Sequence, residues 1–265
     1  MAMLSRVHDR AREALRGGDL EMASSLVSLI WRHFAEDVDT LELHGEVELA
    51  RGHRIEARSS LATVLDIDPE RLLARSGLAL IAEEEDDLDE ALRQFEFAYA
   101  LDTGNQQLAA EIARLHSRLN HTMPVDPEAS RYAVAWRHLW EGRYDRATSL
   151  FQSGLKADPE SVEQAVGLAQ SLWFAGQSSA AEEVAGDIVT SHPNCLKPLA
   201  ILAGAAFSRG DEAALSILRR TAQLNPGNER QTGACQQPLR IDIQHSGQRR
   251  SSLNPVAARQ FHLST

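Results

Sequence analysis

One interval constrains this chain more than any other property of it. Six segments share a pattern that closes on alanine: Gly18-Asp-Leu-Glu-Met-Ala23, Gly52-His-Arg-Ile-Glu-Ala57, Asp86-Asp-Leu-Asp-Glu-Ala91, Gly142-Arg-Tyr-Asp-Arg-Ala147, Gly176-Gln-Ser-Ser-Ala-Ala181 and a degenerate Arg209-Gly-Asp-Glu-Ala-Ala214. The closing alanines are separated by 34, 34, 56, 34 and 33 residues. Small residues Ala11, Gly45, Ala79, Ala135, Ala169 and Ala203 keep the same step ahead of them, and Pro69, Pro159, Pro193 and Pro226 keep it behind. A unit of this length accommodates a helix, a tight turn and a second helix, with small side chains where the two axes approach. Such a unit cannot bury its apolar face alone and must stack on its neighbours. The Asp68-Pro69-Glu70 and Asp158-Pro159-Glu160 triplets are expected to cap helix starts.

Composition agrees with this reading. The 265 residues include 38 alanines and 34 leucines but only 5% aromatics, a balance that favours helix over sheet. A net charge of −11 opposes binding to a phosphate backbone. Two cysteines, Cys195 and Cys235, supply neither a disulfide framework nor a four-thiolate metal site. The first eighteen residues alternate charged and single apolar positions, and the longest apolar stretch, Pro198 to Phe207, is far short of the ~20 residues that span a bilayer. A cytoplasmic protein without a membrane span is predicted.

With Gly or Ala at the eighth place of each unit, Ala at the twentieth, Leu61, Phe95 or Phe151 at the twenty-fourth and Pro at the thirty-second, residues 4 to 228 resemble the tetratricopeptide repeat family. The aromatic that the family carries at the eleventh place is replaced by Ala14, Glu48, Ala82, His138, Leu172 and Ala206. The resemblance implies an all-α fold, an α-solenoid of about six helical hairpins, whose inner face is lined by the first helix of each hairpin.

The interval of 56 is one period plus 22 residues. Gln106 to Asn120 reads as a helix with Leu108, Ile112, Leu115 and Leu119 in one stripe, suited to covering the end of a stack. The expected organisation is a first three-hairpin array with its capping helix over 4–120, a linker over 121–127, a second array over 128–228 and a basic tail over 229–265. The alternative for 106–120 is a seventh hairpin that has lost its second helix. Residues 230–265 carry five Arg and one Asp, while residues 1–229 carry −15. This tail fits three readings: a disordered extension, a segment that folds back on the acidic body, or a sequence altered by a change of frame near residue 230.

Motifs for nucleophilic, phosphate-binding, dinucleotide and zinc-hydrolase chemistry are absent, so no catalytic residue, metal or cofactor is predicted. Seven acids among Glu83 to Glu90 lack the ligand alternation of a calcium loop and read as a solvated turn. Aromatics carry more information. Tyr132, Trp136 and Trp140 share one helix face at i, i+4 and i+8. On the inner-face places implied by the resemblance they are joined by Gln170, Trp173 and Phe174. These six form the candidate peptide-binding strip. Exposed Trp and Tyr are typical binding anchors, whereas rings at helical spacing also fill hairpin cores, and both readings stand at this point. The first array offers His8, Arg12, Arg16, Glu42 and Glu46 instead, without the basic cluster that some members use to clamp a C-terminal carboxylate. The expected function is a non-enzymatic scaffold or adaptor that takes a peptide or amphipathic helix of another protein. The alternatives are an accessory subunit of an enzyme or of a secretion or envelope-assembly complex, and a self-associating structural solenoid.

Overall fold

A computed structural model describes residues 2–102, 104–119 and 131–226. The expected linker over 121–127 and the tail over 229–265 lie outside the described residues. Thirteen helices are present among the described residues, with no strand: α1 (Ala2–Arg16), α2 (Leu20–Phe34), α3 (Val38–Ala50), α4 (Arg54–Ile67), α5 (Leu72–Glu84), α6 (Leu88–Leu101), α7 (Gln106–Arg118), α8 (Arg131–Trp140), α9 (Tyr144–Ala157), α10 (Val162–Phe174), α11 (Ser178–Ser191), α12 (Leu196–Ser208) and α13 (Ala213–Leu224). Each packs mainly on its neighbours in sequence, which makes an α-solenoid.

The repeated positions explain the packing. The closing alanines Ala23, Ala57, Ala91, Ala147 and Ala181 are completely buried, as are Ala11, Ala79 and Ala169 on the partner helices. Gly45 shows why these side chains are small, because a Cβ added there would lie 2.6 Å from Leu61. Leu61, Phe95 and Phe151 fill the space that the small residues leave, each burial contributing roughly 1.5–3 kcal/mol. Turns between paired helices place a glycine in the left-handed region, as at Gly52 with φ 80°, but the third such turn uses Asp86 at φ 64°.

Helix starts are capped locally. Asp19 accepts from the Met22 N–H, Asp37 from Thr40, Asp87 from Glu90, and Asn105 from Gln107 and Leu108. The two Asp-Pro-Glu triplets do something other than expected. Asp68 and Asp158 close α4 and α9, and the next helices begin only after Arg71 and Ser161. The Asp68 carboxylate accepts from the Glu70 N–H and the Arg71 guanidinium, so it organises the turn between two hairpins rather than the first turn of a helix.

After α6 the stacking changes. Helix α7 buries Leu108, Ile112 and Leu115 in one cluster with Phe95 and Ala98, while its outer face sends Arg114 and Arg118 to Glu83. Helix α8 also packs on α6, through Ala135, Trp136 and Leu139 in a cluster with Phe97, Ala100 and Leu101. The acidic run is accordingly more than a solvated turn: Glu83 pairs with α7, while Glu84 and Glu85 reach Arg54 and Arg58 of α4.

Candidate functional site

The aromatic strip divides according to which neighbour each ring meets. Trp136 is completely buried, with ring centroids 5.2 Å from Phe151, 5.9 Å from Phe97 and 5.9 Å from Trp140. It fills the junction between α6, α8 and α9, so it does not line an open groove. Its indole nitrogen has no hydrogen-bond acceptor among the described residues. Gln170 is also buried, and its amide donates to Glu70 Oε1 at 2.7 Å. Both therefore lie inside the folded chain, which corrects their expected place as direct peptide contacts. Tyr132 falls in α8, and its side chain lies outside the described residues.

Trp140, Trp173 and Phe174 remain half-buried. Phe174 stacks on Tyr144 with ring centroids 5.6 Å apart and planes inclined by 26°. The two rings border an open pocket of about 440 Å³, lined also by Gly142, Arg143, Asp145, Arg146 and Ala175. An aromatic floor beside two exposed guanidinium groups suits an apolar side chain with an acidic neighbour. The sequence reading missed Tyr144. Its place at the first position of α9, two residues after Gly142, is the signal that could have found it.

The inner face of α1, α3 and α5 is charged. The Arg71 guanidinium lies 2.7 Å from Asp39, 3.3 Å from Glu42 and 3.2 Å from Asp68. His8 Nε2 lies 2.9 Å from Thr40 Oγ1, whose hydroxyl donates to Asp37 at 2.7 Å, so the imidazole N–H donates to the hydroxyl. Burial holds the His8 pKa below the ordinary value despite Asp37 nearby. Glu46 is mostly enclosed, and burial together with the charge of Glu42 raises its carboxyl to about 7.

This charged face also meets the second half of the chain. Lys197 Nζ of α12 is 3.7 Å from Glu70, the acceptor of the Gln170 bond. Arg75, 3% exposed, reaches Glu163 at the start of α10 at 3.0 Å, bonds to the Pro69 carbonyl and lies 4.0 Å over the Phe97 ring. Arg220 of α13 joins Glu36 at 2.8 Å and Asn194 at 2.6 Å. No group of three or more His, Cys, Asp or Glu is placed to hold a metal among the described residues. No described helix is long and apolar enough to cross a membrane.

Stacked hairpins with a glycine-type turn and alanine contacts define a helical-repeat protein. Residues 139–204 match the family model of the tetratricopeptide repeat. No curated protein matches it in sequence. Among solved structures it is similar to the TPR domain of P58(IPK), with 17% identity over 95% of this chain and 67% of that one and a TM-score of 0.41. It is also similar to a tetratricopeptide repeat protein from Parabacteroides merdae, with 13% identity over 89% and 100% of the two chains and a TM-score of 0.42. The TPR2AB domain of yeast Sti1, in complex with a pHSP90, gives 14% identity over 88% and 97% and a TM-score of 0.39.

Proposed function

We propose that this chain is a cytoplasmic, non-enzymatic scaffold that binds a segment of another protein. The observation that carries the reading is the stacked pair Tyr144 and Phe174 bordering an open pocket, with Trp140 and Trp173 half-buried at the ends of α8 and α10, in a chain with few aromatics elsewhere. Aromatic side chains that keep one face accessible supply contact area at little entropic cost. Trp136 supports the edge from beneath through its contact with Trp140.

The test is affinity capture with the full chain, followed by binding measurements on each purified partner. Trp140→Ala combined with Phe174→Ala should weaken a direct partner by roughly 10-fold to 100-fold, with helicity unchanged. Unchanged affinity for every captured protein would remove this edge as the binding site. A second reading, self-association, is favoured by Phe207 and Leu215, which are 51% and 60% exposed on α12 and α13. Light scattering across a concentration series decides between a monomer and an assembly.

A further inference from the structure

The inner face of α3 to α5 already has an occupant, and it is the chain's own α12. Leu196 and Leu199 in the first turn of α12 are buried in one cluster with Val38, Leu41 and Ala74, and Lys197 between them points its ammonium at Glu70. Gln170 and Glu163 of α10 complete the seam through Glu70 and Arg75.

Two features distinguish this seam from the hairpin cores. Among the described residues, no helix of α1–α5 lies close along a helix of α10–α13, so the halves meet over a few buried leucines, Leu196, Leu199 and Leu224, and over polar groups. The bonds across it are single ion pairs and hydrogen bonds, to Glu70, Glu163 and Glu36. Polar contacts of this kind exchange readily for equivalent ones, because the net gain over the separated, hydrated groups is small. The apolar contacts of Leu196 and Leu199 are replaced by side chains of similar shape, so an external occupant must supply two of them.

We propose that the first turn of α12 acts as an internal ligand, which masks the inner face of α3–α5 and yields to a partner's helix start carrying a basic side chain between two leucine-like side chains. This surface is separate from the aromatic edge, so the proposal does not rest on the function assigned there. The charge pattern selects the occupant: Glu70 and Asp68 stand at the seam beside buried leucines, so an acidic or wholly apolar segment leaves Glu70 with the Gln170 amide but without a cation. Cys195 at the start of α12 is completely buried between the cluster of Ala185 and Ile188 and the same two carboxylates, so release of the first turn of α12 uncovers it.

That cysteine provides the measurement. In a full-length chain with Cys235→Ser, Cys195 is the single thiol, and its labelling by a disulfide reagent is followed in parallel with helicity across a urea series. Labelling in the absence of urea, at a rate insensitive to low urea, is expected for seam opening. Lys197→Met, which keeps the aliphatic stem, should accelerate it by roughly 10-fold. A labelled peptide of residues 192–202 with serine in place of Cys195 serves as the external occupant. It should bind the Lys197→Met chain about 10-fold more tightly than wild type, because the internal competitor is weakened, and lose that affinity on adding Glu70→Gln. Should Lys197→Met fail to fold, Glu163→Gln weakens the seam from the α10 side and carries the same expectation. Labelling that occurs only together with global loss of helicity overturns the proposal. So does a peptide that binds none of these chains.

Discussion

Trp136 illustrates how one side chain can satisfy packing and violate hydrogen bonding. Its ring is enclosed by Phe97, Trp140 and Phe151, yet its N–H is left without an acceptor among the described residues. An orphaned buried donor costs roughly 1–3 kcal/mol, similar to what is lost when the indole is trimmed to a phenyl ring. Trp136→Phe is therefore expected to stay within about 1 kcal/mol of wild type in urea titration, whereas Trp136→Ala should lose about 3–5 kcal/mol. Glu46 makes a second test at this scale. It faces Glu42, Arg12 and Arg16, and its folded pKa of about 7 stands above the ordinary 4.5. The folded state thus holds a proton that the unfolded state releases. This contribution is complete below pH 4.5 and is lost as pH rises through 7. Glu46→Gln should flatten the decline in stability between pH 5 and pH 8 and leave the variant more stable at pH 8, by on the order of 1–2 kcal/mol, as read from urea midpoints at each pH.

Within the helices, glycine takes opposite meanings that only packing distinguishes. A Cβ at Gly167 in α10 would lie 2.4 Å from the buried Phe151 ring, while one at Gly186 in α11 would meet nothing within 4 Å. Alanine improves helix propensity at both by up to about 1 kcal/mol, but at Gly167 the overlap dominates. Gly167→Ala should lower stability by about 1–3 kcal/mol and Gly186→Ala should raise it by about 0.5–1 kcal/mol, both measured by thermal or urea unfolding. The 34-residue step made much of this level legible, because Ala23, Ala57 and Ala91 are buried for the reason that their spacing implied. Helix starts were less legible: Asp68 and Asp158 look like caps in sequence, but the bonds that Asp68 makes lie in the turn.

At the scale of the molecule, periodicity says which residues share a helix face but not which distant face they meet. Trp136, Trp140, Trp173 and Phe174 were legible as a cluster, yet Trp136 points into α6 because α8 packs there alongside α7. Nothing in the sequence marks that choice. Glu70 stands out in sequence only as part of a helix-start triplet and Lys197 not at all, and their pairing depends on how far the solenoid turns before α12 begins. Long-range polar contacts leave no repeat behind them, which is why the seam became visible only in three dimensions.

The seam also has a consequence in time. Glu70 and its hydrogen-bond partner Gln170 are separated by 100 residues. A ribosome adding roughly 5–20 residues per second leaves about 5–20 s between their syntheses. Hairpins, which need only neighbouring residues, can form as they emerge. Throughout that interval the nascent chain presents Glu70, Arg75 and the inner face around Leu41 to the cell before its own α10 and α12 exist to cover them.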